Sequence, residues 1–175
     1  PNGRHDCRPE YPTIVYTKIL KELYPDVPVV LGGIEASMRR LTHYDYWQDR
    51  LRPCILIDSG ADLLIYGMGE KPMRELCLQM LEGKAIADIR DIPRTVYMCP
   101  KDAVPGGVTP DDIVLHSHEE CLQNKKAQAD NFRHIEEESN KIHALRILQN
   151  VGQQCAVVNP PYPPMTTEEI DASYD

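Results

Sequence analysis

The sequence predicts an α/β layer structure built on an open, mainly parallel sheet, and three observations carry that prediction. Short apolar runs rich in β-branched residues end in glycines: Val27-Pro28-Val29-Val30-Leu31 before Gly32-Gly33, and Leu63-Leu64-Ile65-Tyr66 before Gly67-Met68-Gly69-Glu70. Runs apolar on both faces belong to strands covered on both sides, as parallel strands are. Segments of helical period alternate with them, over 12–24 and 72–81. The 175 residues, 42% hydrophobic and 26% charged, make one domain of ordinary size.

Taken in order, residues 1–10 are polar and read as a loop. Pro12 suits a first helical turn, and Ile14, Ile19, Leu20 and Leu23 follow near helical spacing. Asp26 and Pro28 end that helix and lead into the first strand. Residues 34–52 form an irregular or partly helical excursion rich in basic and aromatic side chains. Cys54-Ile55-Leu56-Ile57 is expected as a second strand and Leu63–Tyr66 as a third, with Asp58, Ser59, Gly60 and Asp62 as turn chemistry between them. Parallel neighbours are expected among these three, with helices near 13–24 and 71–82 packed on the sheet. The latter helix carries Met73, Leu76, Cys77 and Met80 on one face, and Gly83 stops it. Thr95–Cys99, flanked by Pro93 and Pro100, reads as an edge strand. A proline-rich loop follows. From His118 to about Asn150 the pattern is helical throughout, with Phe132, Ile135, Ile142, Leu145 and Leu148 as its apolar stripe and Gly152 as its stop. Cys155–Val158 is the last strand. Asn159-Pro-Pro-Tyr-Pro-Pro164 then leads to Thr166 and Glu169, the form of a reciprocal helix cap.

Composition excludes several classes. Nineteen basic against twenty-seven acidic residues leave a net charge of −8, which argues against a broad nucleic-acid face. No apolar run approaches the roughly 20 residues that span a bilayer. The six cysteines, at 7, 54, 77, 99, 121 and 155, are scattered as buried thiols of a reduced, cytoplasmic protein are. No local Cys-x-x-Cys or three-cysteine cluster motif is present.

The glycines at strand ends are the leading candidates for a site. Gly32, Gly33 and Glu35 after one strand, and Gly67, Gly69 and Glu70 after another, would let a ligand approach the main chain at the carboxyl edge of the sheet. The plainer reading is that these glycines only supply turns. Neither run matches the three-glycine dinucleotide fingerprint or a phosphate loop. Met38 to Trp47 gathers Arg39, Arg40, His43, Asp45, Tyr44, Tyr46 and Trp47. Either it is a packed surface loop in which Asp45 pairs with an arginine, or it is functional, with Trp47 buried and His43 and Arg39 or Arg40 facing the edge. His116 and His118 could form a metal pair, although Ser117 as a helix cap accounts for the stretch equally well.

Residues 27–72, together with Arg8-Pro9, Ala87–Ile92 and VVNPPYPPMTTEEID at 157–171, closely resemble the YgiQ-type family of radical-SAM proteins. The HYDYW and NPPYPP motifs are long and unusual, so the likeness is specific; the 100–140 region falls outside it. The resemblance implies a Rossmann-like, cobalamin-binding-type fold in the amino-terminal region, with a radical-SAM barrel downstream. On this view residues 1–158 are the later part of that region, incomplete because the chain is a fragment, with a variable helical insertion about 100–150. Residues 159–175 are the lead-in to the barrel. The parent would carry a [4Fe–4S] cluster and S-adenosylmethionine, bound by cysteines beyond this segment, so the fragment alone would catalyse nothing. Cobalamin binding itself is not carried over, because no histidine here sits in the cobalt-binding motif. Two other roles stay open: a small-molecule module using the glycine edge, and a scaffold docking onto the barrel through His43–Trp47.

Overall fold

The computed structural model describes residues 9–172 and 174. Of the loop expected over residues 1–10, the part up to Arg8 lies outside the described residues. Helix α1 (Pro12–Leu23) begins on Pro12, whose fixed φ suits a first turn and whose missing N–H would be unpaired there. Strand β1 (Val30–Leu31) passes through Gly32 into helix α2 (Gly33–Met38). Strands β2 (His43–Asp45) and β3 (Arg50–Arg52) form a separate antiparallel hairpin. Helix α3 (Ile55–Ser59), strand β4 (Leu63–Ile65) and helix α4 (Glu70–Leu81) follow. After a 3-10 turn at Ile86–Asp88 come β5 (Thr95–Pro100) and β6 (Ile113–Val114). Helices α5 (His118–Gln123) and α6 (Lys125–Ser139), strands β7 (Ile147–Val151) and β8 (Gln154–Val158), and helix α7 (Thr167–Asp171) complete the order.

Six strands make one open sheet in the order β1-β4-β5-β8-β7-β6, so the expected α/β class and open sheet are both present. β1 and β4 run parallel, as their apolar runs predict, and so do β6 and β7. Helices cross over between the members of each parallel pair: α2 and α3 in the first, α5 and α6 in the second. The pairings between these wings, β4–β5, β5–β8 and β8–β7, are antiparallel.

Side chains alternate across the sheet, and both faces are dry. Leu64, Val96, Ala156 and Val158 point to one face, where Ile14, Ala36, Ile55 and Leu56 cover them. Leu63, Ile65, Tyr97, Cys155 and Val157 point to the other, under Leu76, Ile86, Ile89 and Ile92. Double cover is why these strands read as unbroken apolar runs.

Three expectations change. Cys54-Ile55-Leu56-Ile57 is not a strand: residues 55–57 begin α3, with Cys54 as its N-cap. Cys54 and Ile55 are fully buried there, and four apolar residues suit a buried helical turn as well as a strand, so β1 pairs with β4 directly. The long helix over 118–150 ends at Ser139, and residues 147–151 form β7. Gly152 (φ +59) does not stop a helix but begins the two-residue turn that sends β7 back as β8, where positive φ matches the strand twist. Strand β5 is interior, paired with β4 and β8, because Pro93 precedes it and Pro100 is its last residue.

Candidate functional site

Strands β1, β4 and β8 end, and β5 and β7 begin, at one edge of the sheet. The structure brings Gly32, Gly33, Glu35, Gly67 and Gly69 to this edge. Gly33 (φ +84) and Gly67 (φ +69) adopt the left-handed backbone that glycine tolerates without strain. Ser37 ties the two loops together: its Oγ donates to the Gly33 carbonyl at 2.8 Å and accepts from the Gly67 N–H at 3.2 Å. Glu35 accepts from the Thr13 hydroxyl and, at 2.9 Å, from Arg39. Gly69 is the N-cap of α4, and Glu70 stands exposed in its first turn. Glu35 and Ser37 thus each make one bond within α2 and its cap and one to a neighbouring segment, Thr13 of α1 and Gly67 after β4.

Further along, a cavity of about 450 Å³ opens. Arg40, Tyr66, Arg94, Leu145, Pro161 and Tyr162 are among its lining residues. Of these, only Arg40 belongs to the candidates read from sequence. Arg94 is held with φ +60, its N–H donating to the Pro160 carbonyl and its carbonyl accepting from Tyr66 N–H, both at 3.0 Å. A Cβ at position 67 would lie 2.7 Å from Arg94 Nη1, so the glycine makes room for this guanidinium. Arg40 stacks over the Tyr66 ring at 5.1 Å and donates to the Ser37 carbonyl. Tyr66 in turn donates its hydroxyl to the Asn159 carbonyl at 2.6 Å. Burial pushes the Tyr66 phenol up to about 12, against the pull of Arg40 and Arg94. The sequence signal for this site was the NPPYPP segment, which supplies Pro161, Tyr162 and Pro164 to its wall.

The loop from His43 to Trp47 reverses the expected roles. Trp47 is 81% exposed at the tip of the β2–β3 hairpin, edge-to-face with Tyr46 at 5.5 Å. A two-stranded hairpin outside the main sheet has no layer behind its turn to cover an indole. His43 instead lies half-buried, with Nδ1 3.1 Å from the Leu41 carbonyl and a buried Nε2 that has no partner among the described residues. Among the described residues Asp45 pairs with no arginine; its Oδ1 accepts from the backbone of Trp47 and Gln48 and fixes the turn. Burial, the larger effect, lowers the pKa of His43, and it also lowers that of His118. A histidine depressed in the folded state takes up protons more readily when unfolded, so stability should fall as pH drops below about 6.5. Urea melts from pH 7.5 to 5 check this: His43→Gln should flatten the decline, and an unaltered slope would remove His43 as its source.

Ser117 caps α5 through a reciprocal box with Glu120, while His118 Nδ1 lies 3.1 Å from Thr42 Oγ1. Among the described residues no three His, Cys, Asp or Glu side chains are grouped to hold a metal ion. Cys54, Cys99, Cys121 and Cys155 are buried and Cys77 is exposed. Burial pushes the Cys54 thiol up to about 12, the behaviour of an inert core thiol. No helix among the described residues is long and apolar enough to cross a membrane.

The fold and site are those of an open α/β domain with a cavity of mixed cationic and apolar lining on one edge of its sheet. The chain belongs to the radical-SAM N-terminal family, whose sequence profile matches residues 1–175. It is 60% identical to a UPF0313 protein of Bacteroides thetaiotaomicron, over 100% of this chain and 30% of that relative. A UPF0313 protein of Porphyromonas gingivalis is 58% identical, over 100% of this chain and 27% of its own length. The UPF0313 protein of Geobacter sulfurreducens is 42% identical, over 99% and 28% respectively. The chain thus spans less than a third of these relatives. No solved structure matches it.

Proposed function

We propose that this chain is the non-catalytic amino-terminal part of a radical-SAM iron–sulfur enzyme, and that its cavity-bearing edge faces the downstream barrel of the same parent. The observation that supports this reading is the path of residues 159–171, which on this proposal lead into the barrel. Asn159 is anchored at the sheet edge, Pro161 and Tyr162 line the cavity, and Tyr162 donates to Glu75 of α4 at 2.7 Å. Lys71 of α4 pairs with Glu169 of α7 at 3.0 Å. The lead-in is thereby fastened across the edge where the candidate residues gather. In the parent, a [4Fe–4S] cluster with S-adenosylmethionine would supply one-electron cleavage of the sulfonium for radical chemistry. The described cysteines do not fit such a cluster, and no residue here is assigned to it. The location would be the cytoplasm, where such a cluster is kept reduced.

The test is anaerobic reconstitution of the full-length parent with iron and sulfide, then reduction in the presence of S-adenosylmethionine. Expected are cluster absorbance and formation of 5′-deoxyadenosine, both unchanged when the exposed Cys77 of this domain is altered to Ser. A parent that takes up no iron under these conditions would sink the reading.

The exposed Trp47–Tyr46 pair favours a second role, docking onto the barrel through the hairpin tip. Large exposed aromatics are characteristic anchors of interfaces. Trp47→Ala should leave the unfolding free energy within about 0.5 kcal/mol of wild type. In the parent it should speed proteolysis between the domain and the remainder. An equal proteolysis rate would remove the docking role.

A further inference from the structure

We infer that the cavity at the sheet edge binds a small organic anion, a carboxylate or phosphate head on an apolar body. Arg40 and Arg94 line one cavity, and neither forms an ion pair among the described residues. The third cation there, Lys141, is already held by Glu138, whose other oxygen accepts from Leu145 N–H at 2.8 Å. Two like charges facing one space repel each other, and an anion between them removes that cost.

Arg40 supplies an independent sign. Its Nε–H is buried without a partner among the described residues, although Nη1 reaches the Ser37 carbonyl. A half-buried guanidinium gives up hydration that this single bond does not restore. Burial accordingly lowers its pKa, with Tyr66 and then Glu136 acting the other way through space. Glu136 makes no hydrogen bond to it.

Arg94 is placed rather than merely present. A left-handed backbone at a non-glycine residue is retained only where its surroundings enforce it. Here two backbone hydrogen bonds do so, and Gly67 leaves the space that its guanidinium crosses. A head group would therefore meet charges already fixed in position, so little ordering is needed on binding. The remaining lining, including Ile142, Leu145, Ile147, Val158 and Pro161, suits an apolar body. A cavity near 450 Å³ has the size of a small-molecule site, not of a groove for a polymer. The residues argued for this site all lie among the described ones, and the site does not depend on the radical chemistry proposed for the parent.

The test is calorimetric titration of the full-length parent, without cluster or reductant, using phenyl phosphate, benzoate and neutral benzamide. Saturable binding of phenyl phosphate or benzoate, with none for benzamide, is expected, and the tighter of the two identifies the head group. Arg40→Gln and Arg94→Gln should each weaken that anion by about tenfold, the value of one charge-assisted hydrogen bond. Ile142, 66% exposed at the cavity, provides a control that spares the fold. Ile142→Lys should tighten anion binding and Ile142→Glu should weaken it, and this pair decides the matter if an arginine variant fails to fold. Equal binding of benzamide, or indifference to the charge at position 142, overturns the site. So does failure of both anions to bind, including the case where an acidic side chain of the parent already fills the cavity. Because no reductant is used, this outcome is separable from the iron and 5′-deoxyadenosine readouts above.

Discussion

Asn159→Ala is expected to lower stability by about 3 kcal/mol, through loss of a buried knot rather than loss of apolar packing. The Asn159 amide donates to the Arg90 carbonyl at 2.9 Å, and to the Ile92 carbonyl and Thr95 Oγ1 at 3.0 Å. Its backbone N–H reaches Thr95 and its carbonyl receives the Tyr66 hydroxyl. The residue is only 7% exposed, so water cannot replace what alanine removes. The Ile92 carbonyl still keeps the Thr95 hydroxyl at 2.6 Å, but the Arg90 carbonyl loses its side-chain donor. Urea denaturation should show a lower midpoint at unchanged slope. A midpoint near that of wild type would mean that the knot closes through other donors.

A loss of about 2–4 kcal/mol is expected for Arg146→Ala, which removes the clamp on the loop before β6. Arg146 grips Asp112 through Nε at 2.7 Å and Nη2 at 2.8 Å, and also donates to the carbonyls of Pro105 and Gly107. The hydrogen-bonded guanidinium holds the Asp112 carboxyl down to about 2. A carboxylate depressed in the folded state adds stability above its ordinary pKa near 4, and that stability is lost as pH falls toward 2. Wild type should therefore lose stability between pH 4 and pH 2 more steeply than Arg146→Ala does. Parallel acid limbs in the two proteins would show that the pair contributes nothing through its charge.

Much of the fold was legible because burial on two faces leaves a direct trace. Val30–Leu31 and Leu63–Ile65 are apolar throughout and pair as parallel strands. Cys54–Ile57 has the same composition and became a helix, because composition reports burial, not backbone shape. The stretch from 118 to 150 failed differently. Leu145 and Leu148 continue a helical spacing by coincidence, while Ile147 and Leu148 fill opposite faces of β7. The glycine edge was visible as a chain pattern. The arginine cavity was not, since Arg40, Arg94 and Pro161 are distant in sequence and only the sheet order brings them together. Trp47 was misplaced because indole size predicts that a ring will be covered, not by what.

The strand order also bears on how the domain is made. β8, the last strand among the described residues, occupies the interior of the sheet, between β5 and β7. During synthesis, everything through β7 emerges before the strand that joins the two halves. Until then both β5 and β7 present an unpaired edge, the kind of surface that recruits other chains. The nascent protein must therefore postpone closure of its core until Gln154–Val158 has left the ribosome, and slow arrival of that one hairpin arm is its period of greatest exposure to aggregation.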